Sequence, residues 1–431
     1  MFKIVEKLKH NKETKTDSEQ SLAANSAEAA VDTRNYGIDL LKLFSMFLIT
    51  VLHSMTFGAI VREPPFTKYY EVGFLMQAFA YCCVNCFALA SGYVGVDTKF
   101  KHRRILPLWL EVVFYDLFFT FFFMYIKPDM LVNKALLGAT PWWNAVTPVI
   151  HNTYWYFTAY FCLFFFMPYM NMGLKKLSVK QAYALIFSVM FIYIGIQYFS
   201  KRDAFSIGVG YNSTWLIILY AVGAALKKTK LDQSEKVAKY KWIFLILYAI
   251  MSVCAWAFKY YTEYQSNLAG AFKKDAVFLQ YTSIFIFLSA IFLLLFFANI
   301  KITRKGVKKV IRFLVPGAFG VYLVHVHHLT YPLPFWGKLP ELCQGPIYNL
   351  IFGVLKNAVM VFVVCLAIDL VRVQLFKLLH VRQLIDVVCD FVNSQVSKIE
   401  EKLRKNTDTI AGDDKENVES MNSTDETSAN A

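Results

Sequence analysis

Apolar runs of about twenty residues, parted by short polar segments, recur along the chain from residue 37 to residue 376. A helix needs about twenty apolar residues to cross a hydrocarbon core about 30 Å thick. The pattern predicts spans near 37–58, 72–96, 105–126, 154–172, 182–199, 206–226, 242–260, 276–298, 314–333 and 350–376. The expected fold class is all-α: a polytopic transmembrane helical bundle of about ten spans, each satisfying its own backbone polar groups. Residues 137–150, with Pro141, Trp142, Trp143 and Pro148, are too broken to span and belong at an interface. No internal repeat argues for an inverted-repeat transporter.

Charge then orients the spans. The loops after the second, fourth, sixth and eighth spans carry nineteen Lys and Arg residues, and the other loops carry roughly half as many. Basic loops stay in the cytoplasm, so both termini are expected there. The formal charge of +14 sits mainly between apolar runs, so it reads as a topology signal and not as a nucleic-acid surface. With 57% hydrophobic and 18% charged residues, the composition excludes an ordinary soluble domain. The expected location is the cell membrane, multi-pass, with membrane lipid as a partner.

Three segments follow. Residues 1–33 are a polar cytoplasmic N-terminal segment with Lys3, Lys7, Lys9, Lys12 and Lys15 and no signal-peptide core. Residues 34–380 form the transmembrane domain, and 381–431 a cytoplasmic tail expected to be disordered from about 400. The eight cysteines lie mostly in apolar runs. Cys83 and Cys86 form a C-x-x-C that nothing nearby completes as a metal site, so they read as small packing residues.

Candidate chemistry starts in the first span, "GIDLLKLFSMFLITVLHSMTFG", which carries Asp39, Lys42 and His53. Lys42 and His53 are eleven positions apart, about three helical turns and about 16 Å along one stripe. Asp39, three residues before Lys42, shares that side. A snorkelling Lys42 paired with Asp39 is the bland reading of that pair. His53 lies too deep to snorkel, and intramembrane ionisable groups mark a site by default. "NCFALASGYVG" adds Asn85, Ser91 and Tyr93, "LEVVFYD" adds Glu111, Tyr115 and Asp116, and "FGVYLVHVHHL" adds Tyr322, His325, His327 and His328. His327 and His328 are expected near a wet outer interface. The histidine cluster lacks an acidic or thiolate ligand beside it, so no metal is expected.

At these residues the chain resembles acyltransferase family 3, integral-membrane acyltransferases that often O-acetylate surface polysaccharides. "IDLLK…H" resembles the family's first-span phrase, with Lys42 where the family has Arg and His53 in the His position. "FALASGYVG" resembles the close of its second span, "KFKHRRILPLW" its basic loop, and "YWYFTAYFCLFFFMPYMN" its Trp-Phe segment. "STWLIILYAVGAAL" and "FGVYLVHVH" fit later spans, so the resemblance covers about residues 34–380 in order. It implies transfer of an acyl group, expected to be acetyl, from cytoplasmic acyl-CoA to a hydroxyl of a cell-surface or lipid-linked saccharide.

The resemblance assigns Lys42, Arg103 and Arg104 to the CoA phosphates. His53 becomes general base or acyl carrier, with His325 or Tyr322 orienting it or stabilising the oxyanion. Trp155, Ser91 and Tyr93 fall to the substrate. Lys at 42 keeps the charge but loses the planar fork of Arg. Many relatives carry an extracytoplasmic hydrolase-like domain, so a separate extracytoplasmic partner is expected instead, and no nucleic acid. The rival reading is a saccharide or lipid-intermediate exporter without catalysis.

Overall fold

The computed structural model describes residues 34–401 apart from 59, 132, 201–202, 275–276 and 331–338. The expected N-terminal segment 1–33 and the tail from 402 lie outside the described residues. Two compact units divide the chain, Met1–Tyr36 and Gly37–Ala431. In the first, the Arg34 guanidinium lies 5.7 Å from the centre of the Tyr36 ring.

Among the described residues there are helices and no strands. We number the longer helices α1 (Tyr36–Phe57), α2 (Lys68–Ala80), α3 (Cys83–Gly95), α4 (Ile105–Phe121), α5 (Trp155–Leu174), α6 (Val179–Val189), α7 (Ser213–Lys228), α8 (Trp242–Leu268), α9 (Ile284–Ala298), α10 (Lys305–Leu314), α11 (Ala318–Val326) and α12 (Ile347–Leu378). Polar residues start several of them. Thr67, Ser178 and Asn212 each accept a hydrogen bond from the first turn of α2, α6 and α7, and Gln181 completes a capping box on Ser178.

Nine helical stretches among the described residues are long and apolar enough to cross a membrane. The chain is an all-α, polytopic membrane protein. The expected span at 206–226 is not among the nine, because α7 has only 16 residues. Its ends nevertheless reach the two faces of the bundle. Lys228 at its C-terminus pairs with Asp97, just past α3, at 2.7 Å. Its N-terminal side is preceded by Tyr211, whose ring is 4.8 Å from that of Trp155 at the start of α5. α7 packs tightly on α3 because glycines remove the side chains between them. A Cβ on Gly92 would meet the Tyr220 carbonyl, and one on Gly223 would meet the Leu89 carbonyl. Small residues that admit backbone contact are how membrane helices associate without a hydrophobic drive.

The expected span at 314–333 is corrected in outline. The helix there is the short α11, and a 3-10 turn at Val315–Gly317 that contains Pro316 separates it from α10, which ends where the expected span begins. α10 carries Lys305, Lys308, Lys309 and Arg312. Each cation costs about 2.5–3.5 kcal/mol at the centre of a membrane helix. Length and mean hydropathy admit 305–326 as a single crossing, but that cost places α10 outside the hydrocarbon. Residues 381–401, expected as part of the tail, are helical. Asp386 in that helix pairs with Arg103 at 3.0 Å.

Buried polar groups pin the bundle together. Thr50 of α1 donates to the Ala358 carbonyl of α12 at 3.2 Å, and Asn357 donates to Ser54 Oγ at 3.1 Å. Asn85 of α3 donates to the Tyr281 carbonyl at 2.8 Å and accepts from Trp215 Nε1 at 3.1 Å. These bonds replace the water that the interior lacks.

Candidate active site

A cavity of about 220 Å³ runs among α1, α3, α4, α5 and α11. α1 contributes Lys42, Met46, Ile49, Leu52 and His53, so the stripe expected from the eleven-residue spacing lines one wall. Lys42 lies 3.8 Å from Asp39, which is 6% exposed. Ser91, Trp155 and Tyr322 also line the cavity. Its walls are otherwise apolar and aromatic, with Phe87, Tyr156 and Tyr160 from α3 and α5. At one end Trp155, Tyr211 and Tyr281 close ranks, with Tyr211 and Tyr281 ring centres 4.7 Å apart.

His53 sits in the last two turns of α1 and stacks on Phe57 at 4.9 Å. Its Nδ1 is 3.0 Å from Nε2 of His325, a fully buried ring on α11. His325 Nδ1 lies against the Val321 carbonyl one turn back, at 2.5 Å. A carbonyl only accepts, so His325 Nδ1 carries hydrogen, and in the neutral ring Nε2 is left with a lone pair. His53 Nδ1–H must then donate to His325, which leaves the lone pair of His53 on Nε2. The tautomers are thereby assigned from the hydrogen-bond network. The pair is arranged to present one imidazole nitrogen as a base.

Tyr322, one turn from His325 on α11, is 5% exposed, and its hydroxyl donates to no acceptor among the described residues. A buried hydroxyl hydrogen without an acceptor costs free energy unless something that enters the cavity takes it up. Ser91 donates to the Phe87 carbonyl of its own helix at 2.9 Å.

The structure brings Lys42, His53, His325, Tyr322, Trp155 and Ser91 together. It does not bring in the other three. Tyr93 points away toward Lys227, whose Nζ is 5.0 Å from the ring centre. Arg103 and Arg104 are exposed and not among the cavity's lining residues; Arg103 is the partner of Asp386. His327 is fully buried, contrary to the wet interface expected for it. Its Nε2 is 3.1 Å from Asp116 Oδ1, and its ring stacks on His328 at 4.4 Å. Among the described residues no group of three or more His, Cys, Asp or Glu could hold a metal. All eight cysteines are free thiols.

Sequence reasoning missed Asp369 and Arg372 of α12. Arg372 forks onto Asp369 at 2.8 and 2.9 Å and reaches Glu111 at 3.0 Å, while Tyr115 donates to Asp369 at 2.8 Å. Their signal was available as charges three residues apart inside a 32-residue apolar helix. A larger groove of about 990 Å³ opens between the end of the α6 span and residues 277–284. Its lining does not include His53, which lines the smaller cavity.

The sequence pattern of one protein family, described as an acyltransferase domain, matches residues 35–370. No curated protein and no solved structure matches the chain. The matched range includes every residue of the cavity.

Proposed function

The chain belongs to acyltransferase family 3, and from that premise we propose that it moves an acyl group, in the simplest case acetyl, from cytoplasmic acyl-CoA to a hydroxyl of a cell-surface or lipid-linked saccharide. That it is a membrane acyltransferase follows from the family and the helices. The donor and the acceptor are our reading. The observation that carries it is the His53–His325 pair at the wall of a cavity whose other end is Lys42.

At about 220 Å³ the cavity is smaller than the 300–1,000 Å³ of most ligand pockets. It suits the acyl thioester and the slender arm that bears it, with the bulky nucleotide phosphates left at the Lys42 mouth. An ammonium there offers charge to phosphate without a metal.

His53 Nε2 takes the proton of the acceptor hydroxyl as that oxygen attacks the thioester carbonyl. The C–O bond forms, and negative charge moves to the carbonyl oxygen. The Tyr322 hydroxyl is the donor for that oxyanion, since its own hydrogen has no partner. As the C–S bond breaks, the imidazolium returns its proton to the leaving sulfur, giving the ester and free CoA thiol. Throughout, Val321 and His325 hold the His53 ring in one tautomer. Trp155 and Tyr281 offer flat apolar faces on which a sugar ring can stack.

The test is thiol release from acetyl-CoA by purified protein in vesicles, with a saccharide acceptor, for wild type and His53→Gln. General-base help is worth about a hundred- to ten-thousand-fold, and the Gln variant is expected to lose that much while still binding CoA. Wild-type turnover in His53→Gln would overturn the mechanism. Saccharide movement across the vesicle without any thiol release would favour the exporter.

A further inference from the structure

We propose that α10 is a binding site for anionic phospholipid, lying flat in the headgroup layer at one end of the bundle. The segment 301–312, "KITRKGVKKVIR", carries Lys301, Arg304, Lys305, Lys308, Lys309 and Arg312 and no acidic residue. At 100° per residue, Lys305, Lys308, Lys309 and Arg312 gather on one arc of α10. Val307, Val310, Ile311, Phe313 and Leu314 take the other side.

That apolar side divides in two. Ile311 is 3% exposed and seats the helix on the protein. Val307, Val310 and Phe313, at i, i+3 and i+6, are 43%, 56% and 53% exposed and face outward. A short helix with an exposed apolar stripe beside an all-basic one is built to lie in a membrane interface. Its C-terminal end leads through Val315–Gly317 into α11, whose residues are mostly buried in the bundle. The covalent chain therefore fixes α10 at membrane level, where its apolar stripe meets acyl chains and the exposed Lys301, Arg304, Lys305 and Lys309 meet headgroups. The charge selects the lipid: each basic residue at an anionic surface adds about a fivefold preference.

One consequence rests on the acyl-transfer reading. α11 carries Tyr322 and His325, so seating α10 holds both groups at a fixed height beside His53. Anionic lipid then raises acyl transfer through α10.

The full chain, with the partly exposed Cys162, Cys254 and Cys389 replaced by Ser, is spin-labelled at Val310→Cys or at Lys309→Cys. It is placed in vesicles of phosphatidylcholine mixed with phosphatidylglycerol, or of phosphatidylcholine alone. In the mixed vesicles the label at 310 is expected to be reached by oxygen and shielded from a water-soluble relaxing agent, and the label at 309 the reverse. Shielding at 310 is expected to weaken in phosphatidylcholine alone, and in the mixed vesicles when Lys301→Glu and Lys305→Glu are added. Equal aqueous access at both positions would overturn the proposal, as would shielding at both, or shielding at 310 indifferent to phosphatidylglycerol. Depth needs no activity, so failure of the acyl-transfer reading cannot be mistaken for failure of the site. Acetyl-CoA turnover in the same two vesicle types reads the coupling, and a rate unchanged by lipid would remove it.

Discussion

At the scale of single residues, the question is how a neutral imidazole in a membrane protein is made into a directed base. A carboxylate would do it by charge. On the acyl-transfer reading a backbone carbonyl does it here by direction, through His325. That makes His325 a positioning residue, and its substitutions should separate. His325→Gln keeps an amide oxygen that can accept from His53 Nδ1–H, whereas His325→Ala leaves that hydrogen unpaired. We expect the Ala variant to lose about a hundredfold in kcat with little change in KM, and the Gln variant to recover most of it. Equal kcat in the two variants would show that His325 only fills space. Lys42 is expected to act on the other parameter. Lys42→Arg should keep activity, and Lys42→Glu should raise KM for acyl-CoA by setting like charge beside phosphate; equal KM would remove Lys42 from the cofactor site. Much of this was legible in the sequence. The eleven-residue interval from Lys42 to His53 is a helical repeat, so one wall of the cavity could be drawn from α1 alone. Tyr93 shows the limit. It is two residues from Ser91, about 200° around the helix, so the two could not share one cavity. The His53–His325 bond joins residues 272 positions apart, and no local pattern carries that.

The helices hold these residues in register through contacts that hydropathy does not register. The phrase "SGY" divides its labour: Ser91 lines the cavity, Gly92 admits the backbone of α7, and Tyr93 faces Lys227. A methyl group on Gly92 has nowhere to go, because its neighbour is the Tyr220 carbonyl and not a movable side chain. We expect Gly92→Ala and Gly223→Ala each to destabilise by about 1–3 kcal/mol, the usual cost of overpacking, seen as earlier thermal unfolding in detergent. Gly173, on α5 with nothing within 4 Å, is the control. There Ala should be neutral or stabilising, since it is the better helix former. Unfolding temperatures that fall alike for all three would mean that close packing of α3 on α7 is not what the glycines provide. The same limit explains α10. An averaging window over residues 305–326 reports one apolar stretch, while the arc of four cations and the turn at Pro316 divide it into two helices with different surroundings.

For the whole molecule, the number of crossings decides which end of the cavity meets which compartment. Ten expected spans were reduced to nine by length, and an odd number would put the termini on opposite sides. Side-chain ties restore the even count. Lys228–Asp97 and Arg103–Asp386 draw together the ends that follow the second, sixth and last spans. On the opposite face, Tyr69 donates to the Gly345 carbonyl at 2.6 Å and Lys274 to the Val61 carbonyl at 2.8 Å. Those residues follow the first, seventh and ninth spans, so alternation holds only if α7 crosses despite its 16 residues and the ninth crossing is made through α11, with α10 outside it. It can do so because its N-terminus is recessed among Trp155, Tyr211 and Tyr281, at the closed end of the cavity. The face of Asp97 and Lys228 also holds the basic loops, so it is the face expected to be cytoplasmic. We therefore expect a membrane-impermeant thiol reagent applied to intact cells to label Lys134→Cys and to spare Lys230→Cys. Both side chains are exposed, so access and not burial sets the result, and Cys162, Cys254 and Cys389 are replaced to silence the background. Permeabilised cells should label both. The reverse pattern in intact cells would turn the Lys42 mouth outward, away from cytoplasmic acyl-CoA, and the donor assigned to this cavity would have to be abandoned.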